Sequence, residues 1–126
     1  MGHKYLEKIV NIENTPYGWN PTDERQEMWK QQREQYGFDE RETWSLDSTF
    51  IYWLYERLLM FKKYNKLETT NEFEINGEKL TFDQCINKMI ENCEKYIKDN
   101  ALSAESVKLA DETLEIFKEC FHSLWW

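Results

Sequence analysis

Two prolines and four glycines in 126 residues leave few places where a helix must break. The same scarcity removes the glycine-rich loops that cradle phosphates, and neither a G-x-x-x-x-G-K nor a G-x-S-x-G pattern occurs. Two histidines and three cysteines, without H-E-x-x-H or C-x-x-C, supply none of the familiar zinc spacings. No apolar run stays free of charge for the roughly 20 residues that cross a bilayer. The opening stretch MGHKYLEKIVNIENTPYG has no apolar h-region, and Gly2 lacks the Ser or Thr at position 6 that myristoylation needs. These absences predict a chain with no membrane association, no cofactor, no metal site and no catalytic residues, working in a cytoplasm.

Charge of positive sign is also short. Twenty-four acids face sixteen bases, for a net charge of -8. Residues 67–126 hold thirteen acids and six bases, whereas residues 45–66 are slightly basic. An acidic second half disfavours direct binding to nucleic acid, which needs a basic surface. It is compatible with ordinary solubility or with a basic protein partner. Aromatic residues are plentiful at 16%, and 40% of the chain is hydrophobic, enough for a core without disulfide staples. Cys85, Cys93 and Cys120 all fall within amphipathic patterns and read as reduced core thiols.

The longest apolar stretch, WSLDSTFIYWLYERLLMFKKYNK at 44–66, contains neither Gly nor Pro. Leu46, Phe50, Trp53, Leu54, Leu58 and Phe61 form one helical stripe. Ile51, Tyr52, Tyr55, Leu59, Met60 and Tyr64 widen it most of the way round, as expected of a central helix. Ser45 or Asp47 can cap its start, with Trp44 packing across the first turn, and Lys62, Lys63 and Lys66 suit the negative end of its dipole.

Around this helix the spacing predicts an all-α, compact four-helix arrangement in a single domain spanning 1–126, with 1–21 as an N-terminal arm. Thr22 caps a thinly apolar helix that Gly37 stops, and Asp39 with Glu42 has capping-box spacing for a further short turn. Residues 67–80 contain Asn76-Gly77 between alternating residues and predict a short β-hairpin or an ordered loop. Thr81 caps a helix with the stripe Phe82, Cys85, Ile86, Met89, Ile90, Cys93, Tyr96 and Ile97. Ser103 caps the last helix, where Val107, Ala110, Leu114, Phe117, Phe121 and Leu124 are expected to face the core with Leu109, Ile116 and Cys120 beside them.

Three constellations carry functional interest. Glu119 and His122 have the E-x-x-H spacing of two-metal carboxylate bundles, but no second such pair accompanies them. Glu56 and Arg57 interrupt the apolar helix, and buried charge must be paired. With Trp44, Asp47, Tyr52 and Trp53 they define a candidate pocket. Trp19, Phe121, Leu124, Trp125 and Trp126 define a candidate aromatic interface.

The segments GFDERETWSLD at 37–47, GEKLTFDQCINKMI at 77–90 and LEIFKECFHSLWW at 114–126 resemble a loose group of uncharacterised bacteriophage-encoded proteins. The matching positions are Gly37, Trp44, Leu46 and Asp47, then Gly77, Lys88, Met89 and Ile90, then Phe117, Phe121, Leu124 and Trp125. The likeness departs at Glu78, Gln84 and Cys85, where the group often carries Pro and Trp. It implies a viral protein acting in the host cytoplasm as an accessory or defence-countering binder. The leading expectation is a protein that acts through a protein partner or as a homo-oligomer. One alternative is a small enzyme or ligand-binding bundle using Asp47, Glu56 and Arg57. Another is a nucleic-acid-mimicking inhibitor of a basic protein, against which Lys88, Lys95, Lys98, Lys108 and Lys118 interrupt the acidic surface.

Overall fold

A computed structural model describes residues 24–67, 71–99 and 103–125. Among them are four α-helices and one two-stranded hairpin: α1 (Gln26–Tyr36), α2 (Leu46–Tyr64), β1 (Glu72–Ile75), β2 (Glu78–Thr81), α3 (Phe82–Lys98) and α4 (Ala104–Cys120). Short 3₁₀ turns follow α1, at Glu40–Thr43, and α4, at Phe121–Ser123. The chain is mostly α with a short hairpin, as the helical periodicity and the Asn-Gly turn predict. It divides into two compact units, the first ending at Trp53 and the second beginning at Leu54, so the division falls within α2.

In the first unit, α1 ends where expected. Gly37 adopts φ 86° and its N–H reaches the Arg33 carbonyl, the left-handed stop that a Cβ would disfavour. Thr22, the expected cap, and the arm 1–21 lie outside the described residues. The 3₁₀ turn is capped by Asp39, which accepts from the Arg41 N–H at 3.0 Å. Thr49 of α2 then donates its hydroxyl to the Glu42 carbonyl at 2.7 Å. Trp44 sets its ring edge-on to buried Trp29, with centroids 6.0 Å apart. Trp44, expected to pack across the start of α2, thus makes an aromatic contact back to α1.

The buried side of α2 is Ile51, Tyr52, Leu54 and Leu58. Of the stripe read from the sequence, only Leu54 and Leu58 are buried. Phe50 and Phe61 are half-buried, while Leu46 and Trp53 are exposed. Leu59, Met60 and Tyr64 also face solvent.

The second unit is built on α3 and α4, which pack on each other, with β1 against α4 and β2 against α3. The hairpin is antiparallel, with Phe73 opposite Leu80 and Ile75 opposite Glu78. Asn76 and Gly77 turn the chain with φ of 51° and 84°, the doubly left-handed geometry that matches strand twist. The hairpin needs no larger sheet because Ile75 is buried and the Phe73 ring meets Phe82, centroids 6.2 Å apart. A capping box at Thr81, whose N–H donates to the Gln84 side chain at 2.9 Å, starts α3.

The α3 stripe is buried as read at Phe82, Cys85, Ile86, Met89, Cys93 and Tyr96, with Ile90 and Ile97 half-buried. On α4 and just after it the expectation holds for Leu109, Ile116 and Cys120, which are buried, and fails for Val107, Leu114 and Phe121, which are exposed, with Ala110, Phe117 and Leu124 half-buried. The inward row is Ser106, Leu109, Thr113, Ile116 and Cys120. The more apolar row beginning at Val107 faces outward. Local bonds explain how the polar members can be buried: Thr113 donates to the Leu109 carbonyl at 2.8 Å and Ser106 to the Asp99 carboxylate at 2.6 Å. Across the helix pair, buried Asn92 donates to Glu112 at 2.8 Å.

Candidate interaction surface

The outward side of α4 carries Val107, Ala110, Leu114 and Phe117, and Phe121 follows them in the 3₁₀ turn. Their three- and four-residue steps keep them on one face, the seam pattern by which helices pair. Val107 is 61% exposed, Leu114 47% and Phe121 52%, with Ala110 and Phe117 half-buried between them. Phe117 and Phe121 meet edge to face at 5.4 Å, and Phe121 meets His122 likewise at 5.5 Å. Beyond the 3₁₀ turn, Leu124 is half-buried and Trp125 is 76% exposed. A cleft of about 210 Å³ opens beside it, lined by Phe61, Asn65, Lys66, Leu67, Phe82, Ser123 and Trp125. Apolar surface left outside in this concentration is the kind that marks a contact face.

Of the aromatic interface read from the sequence, Phe121 and Trp125 are exposed and Leu124 borders them. Trp19 and Trp126 lie outside the described residues. The sequence signal for this surface is its aromatic density at 117–126; its extension up α4 has the same apolar spacing as a core-facing row.

The pocket candidates are placed as follows. Trp44 is half-buried against Trp29, Tyr52 is buried, and Trp53 is exposed and stacked on Phe50 at 6.1 Å. Asp47 is exposed, accepting the Ser48 N–H at 2.8 Å. Glu56 is half-buried and Arg57 exposed, so Arg57 does not carry the desolvation cost that made the pair notable. None of the six lines the cleft beside Trp125. Glu119 and His122 are both exposed, and no three potential metal ligands converge among the described residues.

The buried charge of the first unit is elsewhere, and the sequence did not flag it. Asp39 is fully enclosed and accepts from Arg41 Nη2 and from Arg33 Nη1, each at 2.7 Å. Burial pushes its carboxyl up, but hydrogen bonds from Arg41 and then Arg33 outweigh that and hold it below its ordinary value. The Arg41 guanidinium also lies 4.4 Å from the Trp29 ring centroid, and Arg25 lies 4.9 Å from the same ring. This network locks the α1–3₁₀ corner, where Glu42 is buried as well.

Burial holds all three thiols in the protonated form. Burial pushes Cys93 up to about 12, burial and then the nearby Cys85 push Cys120 up to about 12, and burial raises Cys85 as well. All three are free and buried. Comparison with protein-family models, curated proteins and solved structures yields no match. Among the described residues no helix is long and apolar enough to cross a membrane.

Proposed function

We propose that this protein works by docking to another protein surface through the outward row of α4 and the aromatic residues that follow it. The observation that carries this reading is the exposure of Val107, Leu114, Phe121 and Trp125 on one helix and its immediate extension. Burying a side chain of this size contributes about 1.5–3 kcal/mol, so four together can support an interface. The resemblance to phage proteins supplies a setting for the proposal: an accessory factor in the host cytoplasm, countering a host defence.

Capture from host lysate with the tagged chain tests this, using wild type beside Phe121→Glu and Trp125→Ala. Both side chains are more than half exposed, so the variants should keep the wild-type circular dichroism. The expected result is loss of the same bound protein from both variants. Identical captured sets in all three samples would overturn the reading.

A further inference from the structure

We infer that the outward row of α4 pairs antiparallel with the same row of a second copy of this chain. The inference rests on the docking reading above and names the partner. Pairing of two helices requires apolar residues at alternating three- and four-residue steps with suitable flanking charge. Val107, Ala110, Leu114 and Phe117 meet the first condition over about 15 Å of helix axis, and Phe121 continues the row into the 3₁₀ turn. They carry no charge.

Residue sizes and charges select the orientation and the register. When Leu114 faces Phe117 of the second copy, Ala110 faces its Phe121. The smallest residue of the row then receives the largest, twice by symmetry. A parallel pair would set Ala110 against Ala110 and Phe121 against Phe121, alternating a gap with a crowd. Asp111 follows Ala110 and Lys118 follows Phe117, and both are exposed on the solvent side of the row, Lys118 beside Glu115 at 3.8 Å and Glu119 at 3.6 Å with its side chain 71% exposed. The antiparallel register with Leu114 opposite Phe117 brings Asp111 beside Lys118 of the second copy, again twice. Sliding by one heptad, so that Ala110 faces Leu114, would bring Asp111 against Asp111 instead. Size and charge therefore favour one register. The other flank of the row adjoins Ser106, Thr113 and Cys120, which are buried within the unit, so the second copy can approach with its charged flank only on the Asp111 side.

One helical row is smaller than a standard interface, which takes about 800 Å² from each partner. The pairing is therefore set at micromolar rather than nanomolar strength. Sedimentation equilibrium of the purified full chain across the micromolar range reads it directly, with circular dichroism as the control for folding. Wild type is expected as a concentration-dependent dimer. Leu114→Glu should weaken the dimer at least about tenfold, because a carboxylate would enter the centre of the row. Asp111→Lys should weaken it about threefold through like charge, and Asp111→Lys with Lys118→Asp should restore it. A monomeric wild type overturns the pairing. A dimer indifferent to Leu114→Glu overturns the surface, and one indifferent to both charge variants overturns the antiparallel register. If wild type is monomeric yet loses a captured protein on Phe121→Glu, only self-pairing falls. If capture is also unchanged, the docking reading falls with it.

Discussion

Asp39 ties α1 to the 3₁₀ turn in the first unit. Its carboxylate pairs with two guanidinium groups, one of them on Arg41, whose side chain is only 4% exposed. Asp39→Asn would leave Arg41 charged and poorly matched in a buried place, and a loss of about 3 kcal/mol is expected from urea unfolding monitored on that unit's tryptophans. The pH dependence follows from the depressed carboxyl. A group whose folded value lies below its unfolded value contributes stability above the unfolded value and loses it as pH falls through the folded one. Acid should therefore remove the Asp39 contribution only below about pH 4, and Asp39→Asn should flatten that part of the acid titration. The cysteines act oppositely, by remaining unreactive. Iodoacetamide should label Cys85, Cys93 and Cys120 in denaturant but not in buffer, and rapid native labelling would mean that α3 and α4 open locally.

At the scale of elements, α3 and α4 show what periodicity does and does not reveal. The α3 stripe was legible because only one row of that helix is apolar. The α4 sequence offers two rows a third of a turn apart, and hydrophobicity alone places the Val107 row at the core with Leu109, Ile116 and Cys120 beside it. What decided otherwise was local satisfaction of Ser106 and Thr113, whose hydroxyls find acceptors at Asp99 and Leu109. Hydrophobicity cannot anticipate those bonds. The buried Asp39 cluster was hidden for a related reason, since its value depends on Arg33, six residues away on another element. Caps, by contrast, are local and were read at Thr81, Ser103 and Gly37. Thr81→Ala should cost about 1 kcal/mol by thermal or urea unfolding. Gly77→Ala should cost about 1 kcal/mol too; a Cβ there meets nothing within 4 Å, so the cost arises from the left-handed backbone alone.

For the molecule as a whole, net charge sets the conditions under which copies meet. Two chains of charge -8 repel at long range, whereas the apolar row attracts only on contact. Raising salt from low to physiological strength should therefore tighten self-association, as sedimentation would show. A pronounced weakening would mean that attraction between opposite charges dominates. The hairpin turn adds a slow chemical term to this balance. Asn76 and Gly77 are both exposed, and glycine leaves its preceding amide unshielded. Attack of the Gly77 backbone nitrogen on the Asn76 side-chain carbonyl would expel ammonia, close a succinimide and reopen with water to aspartate or isoaspartate. Each event gives the chain one further negative charge, and isoaspartate also lengthens the turn by one backbone carbon. Stored protein should split into more acidic species on ion exchange, traced by peptide mapping to this dipeptide. The turn that closes the hairpin is thus also the place where the protein's age is recorded.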